Sequence, residues 1–270
     1  MFASDFGSWD PTNPPSTQIG QFFKSKGASV ACAWGYGISP SSAQAANNVI
    51  WSSQAVGLTK GVLDTSIPFG GVDFTSAALA AKQAGCNAVE GTMDVNSSVA
   101  LTEALSQAGV SLKANVFAAG YDPALIGTPT WTTVQGAYFS TSFRPFSLPN
   151  AGTVQLASAL QKYENRPPSQ FPTFDIYESW LGVQLMALGI EKAGANPSSA
   201  NIITSLRSVT DWQGNGLLAQ PINYSTNFGK AQNPSCAWYL KAEKTGFVPI
   251  SPQPLCGTVI AGKSGKNIPS

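Results

Sequence analysis

Ser29-Val30-Ala31-Cys32-Ala33-Trp34, closed by Gly35-Tyr36-Gly37 and followed by the segment from Ser41 to Val56, decides how this chain folds. An uncharged, largely apolar run of this length suits a strand covered on both faces, and the glycines behind it suit a turn. Ser41 reads as the cap of the Ala-rich helix that follows, from Ser41 to Val56. Outward from this unit the same order recurs. Gly61 to Ile67 and Phe74 to Ala84, then Ala88 to Met93 and Ser98 to Ala108, read as strand and helix in turn. Ala114 to Ala119 and Gly136 to Phe143 add a fourth and a fifth strand, with a helical turn at Pro123 to Ile126 between them. Strands alternating with helices at this pace predict an α/β protein with a doubly wound parallel sheet, whose ligands sit beyond the carboxyl ends of the strands.

The flanks read differently. Residues 1–20, rich in Pro, Ser, Thr and Asn, form an irregular leading segment, and a short helix at Gln21 to Lys26 precedes the first strand. After the linker Arg144-Pro145-Phe146-Ser147-Leu148-Pro149-Asn150, three helices follow with no convincing strand between them: Val154 to Tyr163, Phe174 to Ala193 and Ser199 to Val209. A helical stretch without a sheet of its own must cover some other surface. Short strands are predicted at Ile222-Asn223-Tyr224, Ala237 to Ala242 and Gly246 to Ile250, with a turn at Glu243-Lys244-Thr245, and the tail after Cys256 is expected to be loose.

Composition removes several classes of function. At 270 residues the chain is long enough for two lobes, and 43% hydrophobic residues provide a core. Its 15 basic and 14 acidic side chains give a net charge of +1, which is no electrostatic footprint for nucleic acid. The absence of histidine takes away the commonest general base and metal ligand, so neither a metal nor a cofactor is expected. Gly37-Ile38-Ser39-Pro40-Ser41 lacks the last glycine of a nucleophile elbow, which leaves an α/β hydrolase as a remote alternative. Trp180 to Ile190, bracketed by Glu178 and Glu191 and containing Gln184, reads as a buried helix and not a membrane span. Met1 to Phe6 show no secretory signal.

None of the four cysteines stands in a CxxC pair. Cys236 and Cys256 flank the terminal hairpin, and a disulfide closing this loop of about 20 residues would add roughly 3 kcal/mol in an oxidising compartment. Cys32 and Cys86, both in apolar runs, read as small buried hydrophobes.

Several motifs together resemble type I periplasmic solute-binding proteins of the branched-chain amino acid ABC transporter class. They are Gly35 to Ser42 (Gly-Tyr-Gly-Ile-Ser-Pro-Ser-Ser), Thr65 to Thr75 (Thr-Ser-Ile-Pro-Phe-Gly-Gly-Val-Asp-Phe-Thr), Gly91-Thr92-Met93-Asp94 and Ala119-Gly120-Tyr121-Asp122. Tyr177-Glu178, opening a long helix, and the Cys-containing hairpin with Gly246-Phe247-Val248 complete the set. The resemblance implies a complete second lobe, α/β, at 21–145 and an incomplete, mainly helical remainder of the first lobe at 146–235. The return strands and tail then occupy 236–270, and the amino-terminal part of the first lobe is expected to be absent. Hinges would fall at Arg144 to Pro149 and Pro234 to Cys236.

On this resemblance the protein is not an enzyme. It captures a small polar ligand, an amino acid or amide, in a cleft between lobes, and passes it to a membrane permease outside the cytoplasm, as a monomer with no membrane span. A ligand-sensing module of the same fold is the alternative. Tyr36 would stack on or hydrogen-bond the ligand, or pack in its loop. Ser39, with Ser41 and Ser42, stands at a helix start suited to an anion or to capping. Met93 and Asp94 end the third strand, where Asp94 meets a ligand cation or caps the helix beginning near Ser97. Tyr121 falls where amino-acid-binding relatives carry a cleft carboxylate, with Asp122 one place on. Tyr177 and Glu178 match a position near hinge and cleft, although Glu178 equally suits the helix dipole.

Overall fold

The computed structural model describes residues 14–167, 170–227 and 234–270. These residues divide into two units, with the chain passing from one to the other at 141–142 and returning at 234–235.

The first unit opens with α1 (Gln18–Ser25), β1 (Val30–Tyr36), α2 (Pro40–Ala55) and β2 (Thr59–Ile67). It continues with α3 (Thr75–Gln83), β3 (Ala88–Thr92), α4 (Val95–Gln107), β4 (Ala114–Phe117), α5 (Pro129–Val134) and β5 (Tyr138–Thr141). Strand order runs β2-β1-β3-β4-β5, all parallel, so the five-stranded parallel layer expected from the sequence is present. The returning chain extends it with antiparallel β6 (Cys236–Glu243) beside β5 and β7 (Gly246–Pro249) beside β6, while β8 (Leu255–Cys256) pairs with the start of β6.

The alternation of side chains across the strands builds two cores. Ala31 and Ala33 of β1 face α1 and α2, where Phe22, Phe23, Ala46, Val49 and Ile50 cover them. Cys32, Trp34 and Tyr36 face the other way, under Phe74, Ala77, Ala78 and Ala81 of the α3 region and Leu101 and Leu105 of α4. Both faces of the sheet are therefore covered, which is why β1 carries no charge.

In the second unit α6 (Ala151–Glu164), α7 (Phe174–Ala193), α8 (Ser199–Leu206) and the short α9 (Tyr224–Asn227) are joined by loops. Asn150 starts α6 in a reciprocal capping box with Thr153. Leu156, Leu160, Tyr177, Leu181, Leu185, Leu206, Trp212 and Leu217 form its core. Val183, Met186 and Ile190 of α7 and Ile203 of α8 stay exposed.

Several expectations are corrected. Ile222-Asn223-Tyr224 is not a strand: Ile222 makes a single bridge to Trp212, and Tyr224 opens α9 because Asn223 Oδ1 accepts the Ser225 N–H at 3.0 Å. The helix α5 was not foreseen, since six residues are too short to show a period, yet Trp131 and Val134 anchor it in the core. Cys32 and Cys86 are not free thiols but a second disulfide beside Cys236–Cys256, joining β1 to the turn before β3. Fifty-four residues apart, they meet only because the α3 crossover returns the chain beside β1.

Nor is the tail loose. Asn47 Nδ2 donates to Gly265 O at 2.7 Å, Trp51 Nε1 to Asn267 O at 2.9 Å, Gln54 Nε2 to Ser270 O at 2.8 Å and Lys60 Nζ to Pro269 O at 2.7 Å. The Lys263 ammonium lies 4.1 Å from the centroid of the Trp51 ring. Deleting residues 263–270 removes these bonds at once and is expected to lower stability by about 2 kcal/mol, at roughly 0.5 kcal/mol for each of them. Urea unfolding checks this; an unchanged midpoint would mean the strap contributes nothing.

Candidate functional site

In the order β2-β1-β3-β4-β5 the chain runs outward from β1 in one direction through β2 and in the other through β3. The loops leaving the carboxyl ends of β1 and β3 thus turn to opposite faces of the sheet, the arrangement beside which open parallel sheets receive ligands. Tyr36 ends β1, and Asp94 follows β3 by two residues.

The rim is stitched by side chains. Gly35 lets α2 approach: a Cβ there would meet Ser42 O at 2.8 Å. Ser42 Oγ accepts the Tyr36 N–H at 2.7 Å and donates to Thr92 O at 2.5 Å. Thr92 Oγ1 reaches Trp34 O at 3.0 Å and Ser42 O at 2.7 Å. The Tyr36 hydroxyl bonds the Asp94 carboxylate and lies 2.8 Å from Ser97 Oγ. Asp94 Oδ1 accepts the N–H groups of Asn96 at 2.8 Å and Ser97 at 3.1 Å, so Asp94 caps α4.

Burial alone would raise the Asp94 carboxyl, but the hydrogen bonds from Tyr36, Ser97 and Asn96 outweigh it and hold the group below the usual aspartate range. The Tyr36 phenol is pushed up, first by burial and then by its bond to that carboxylate. At neutral pH the rim therefore presents an ionised Asp94 and a neutral Tyr36.

Among the residues singled out in the sequence, the structure brings Tyr36 and Asp94 into contact. Ser39 stands beside them and caps α2 through the Ser42 N–H at 3.4 Å, which corrects the assignment of that cap to Ser41. Met93 is buried in the core with Tyr36 and Phe74. Tyr121 packs edge-on against Phe247, with ring centroids 5.2 Å apart, and Asp122 Oδ1 accepts the Ala124 N–H at 2.8 Å to start the turn after β4.

Tyr177 and Glu178 lie in the other unit, on α7. The Tyr177 ring is buried and stacks on Phe143 at 5.1 Å, and its hydroxyl donates to Arg144 O at 2.9 Å. That contact fastens the segment by which the chain enters the second unit. Glu178 is half-buried on the first turns of the same helix.

Sequence reasoning overlooked Ile38, Phe69 and Val72, which stand exposed on the loops after β1 and β2. Large apolar residues between the turn formers Pro68, Gly70 and Gly71 were the available signal.

Residues 5–246 match the family model of periplasmic binding proteins, and the chain belongs to that family. Its fold is that of the type I members of the branched-chain amino acid ABC transporter class. A fatty acid ABC transporter substrate-binding protein from Thermomonospora curvata superposes with a TM-score of 0.70 at 18% identity, over 99% of this chain and 69% of that one. A branched chain amino acid ABC transporter from Thermus thermophilus with bound valine gives 0.67 at 17% identity, over 92% and 66%. A leucine binding protein from Thermotoga maritima gives 0.63 at 15% identity, over 87% and 64%. The chain thus spans about two thirds of the length of these structures. A search of curated protein sequences finds no match.

Proposed function

We propose that this chain serves as the solute-binding component of an ABC importer, holding a small ligand outside the cytoplasmic membrane for delivery to a permease, and that it acts by binding alone. The observation that carries this reading is the position of the Tyr36–Asp94 pair at the crevice where strand order reverses, the place at which open parallel sheets receive ligands. A fixed carboxylate backed by a fixed phenol at that point can orient a polar group. The two disulfides suit an oxidising compartment, and no described helix is long and apolar enough to cross a membrane.

In this reading residues 21–145 and 236–270 act as one lobe of a monomer, and 146–235 contribute to the other. The similar structures that hold valine or benzoate, or that serve a fatty acid transporter, support a small organic solute, with an amino acid or amide as the first choice for this chain.

The test is protein-observed NMR, which registers weak as well as tight binding, with a panel of amino acids, amides, amines and short carboxylates. Saturable shifts are expected to cluster at residues 36–42, 69–74 and 93–98. A panel that leaves those amides unmoved would overturn the proposal.

A further inference from the structure

The rim carries apolar surface in a place where water would otherwise lie. Ile38, Phe69 and Val72 are 75%, 68% and 77% exposed, and all three stand on the loops that leave β1 and β2 at their carboxyl ends. The loops run side by side, because the Gly37 N–H donates to Ile67 O at 2.9 Å. The Phe69 ring is backed by Tyr36, with centroids 5.1 Å apart, and the backbone behind it is tied through Gly71 O to Ser97 Oγ at 3.2 Å. Phe69 is thus an exposed ring on a supported loop, adjoining the Tyr36–Asp94 pair.

The charged side chains of residues 14–141 differ between the two ends of the parallel strands. Between residues 14 and 141 the basic side chains are Lys24, Lys26, Lys60, Lys82 and Lys113, and every one lies on the side where the strands begin. The loops on the opposite side, 37–39, 68–74, 93–94 and 118–128, hold Asp73, Asp94 and Asp122 and no lysine or arginine. Asp73 accepts the Thr75 N–H at 3.0 Å, a bond that holds its carboxyl below the usual range, so it is ionised at neutral pH.

Apolar surface on loops that carry carboxylates and no cation of their own disfavours an anion on this wall and favours an apolar body that carries a positive charge, for which an aromatic face adds its own attraction. Taking the solute-binding reading above as its basis, we propose that Phe69, with Ile38, Val72 and Asp73, forms the specificity wall of the site and selects a cationic, apolar-bodied solute of the alkyl- or arylalkylamine class. Such a ligand differs from the small polar amides that the sequence suggested, because those would leave three large apolar side chains in water.

Phenethylamine and 3-phenylpropionate share one body and differ in charge, which makes them the probes. In NMR titrations phenethylamine is expected to shift residues 36–42 and 69–74 saturably, and 3-phenylpropionate to leave them in place. Phe69→Ala is expected to weaken the amine about tenfold, and Asp73→Asn to weaken it less. Leu79→Ala, another exposed apolar truncation on α3, should leave it unchanged. Equal or tighter binding of the acid, or amine binding that ignores Phe69→Ala, would overturn the inference. It also fails if other solutes shift the rim and phenethylamine does not, and in that case the solute-binding reading stands. If neither probe nor any member of the earlier panel moves the rim, both fall together.

Discussion

Replacing Cys32 and Cys86 together by alanine is expected to lower the unfolding free energy by about 4 kcal/mol, more than the roughly 3 kcal/mol expected for the same change at Cys236 and Cys256. The difference follows from loop length: one bridge closes a separation of 54 residues and the other a separation of 20, and the entropy withheld from the unfolded chain grows with the logarithm of that length. Exposure adds a second distinction. Cys32 and Cys86 lie within the core under α3, whereas Cys256 is exposed on β8. Mild reductant is therefore expected to open Cys236–Cys256 first, and Cys32–Cys86 only when the unit unfolds. Urea unfolding of the two double variants, with mass spectrometry of alkylated fragments during reduction, reads both effects. Equal midpoints, or early alkylation at Cys32, would show that the buried bridge contributes no more than the outer one.

That bridge also marks how far the sequence could be read. The parallel layer was legible because β1 is a short apolar run, and β3 and β4 are short segments between turn formers that recur in the same strand-helix order. Phe174–Ala193 was legible to its ends, since a twenty-residue helix followed by Gly194 leaves few alternatives. Cys32–Cys86 was not, because a contact made by a crossover leaves no local trace. The tail strap was hidden for a similar reason: its bonds come from Asn47, Trp51, Gln54 and Lys60, far away in the chain, while its own composition reads as polar and irregular.

The site divides in the same way. The family resemblance pointed to Tyr36 and Asp94 at strand ends, and topology made them neighbours. Position alone could not separate those that reach the rim from those that pack. Met93 precedes Asp94 directly, yet the side-chain alternation that continues past β3 turns it into the same core as the Tyr36 ring, whose hydroxyl alone reaches Asp94. Phe69 and Val72 were passed over because an apolar residue in a sequence is read as core until its exposure is known. The rim is thus assembled from helix caps at Ser39, Asp94 and Asp122, which the fold requires, and from apolar groups at Ile38, Phe69 and Val72, which folding alone does not explain.

Glu90 is the residue whose substitution should stabilise the protein. It sits in the middle of β3 with Ala33 of β1 and Val116 of β4 in register on either side, on the face covered by α1 and α2. Neither ion pair among the described residues includes it, and burial pushes its carboxyl up to about 8 from an ordinary 4.5. The acid is accordingly protonated at neutral pH. The nearby Tyr239 phenol is driven well above its ordinary value, first by burial and then by the charge Glu90 would carry, so it stays neutral and holds the Gln18 amide at 2.8 Å.

The consequence for stability has a definite sign. Below pH 4.5 the carboxyl is protonated whether the chain is folded or not, and no penalty arises. Between 4.5 and about 8 the unfolded chain releases a proton that the folded chain keeps, so stability falls as pH rises and levels off above about 8. At about 1.4 kcal/mol per pH unit, the loss near pH 7 comes to about 3 kcal/mol. Glu90→Gln keeps the shape and removes the titration. The variant is expected to match the natural chain in mildly acidic solution, exceed it by about 3 kcal/mol at neutral pH, and exceed it by somewhat more in mild alkali. Urea unfolding across that range is the measurement. A stability difference that does not grow with pH would mean that Glu90 is ionised in the folded protein and paired with a cation.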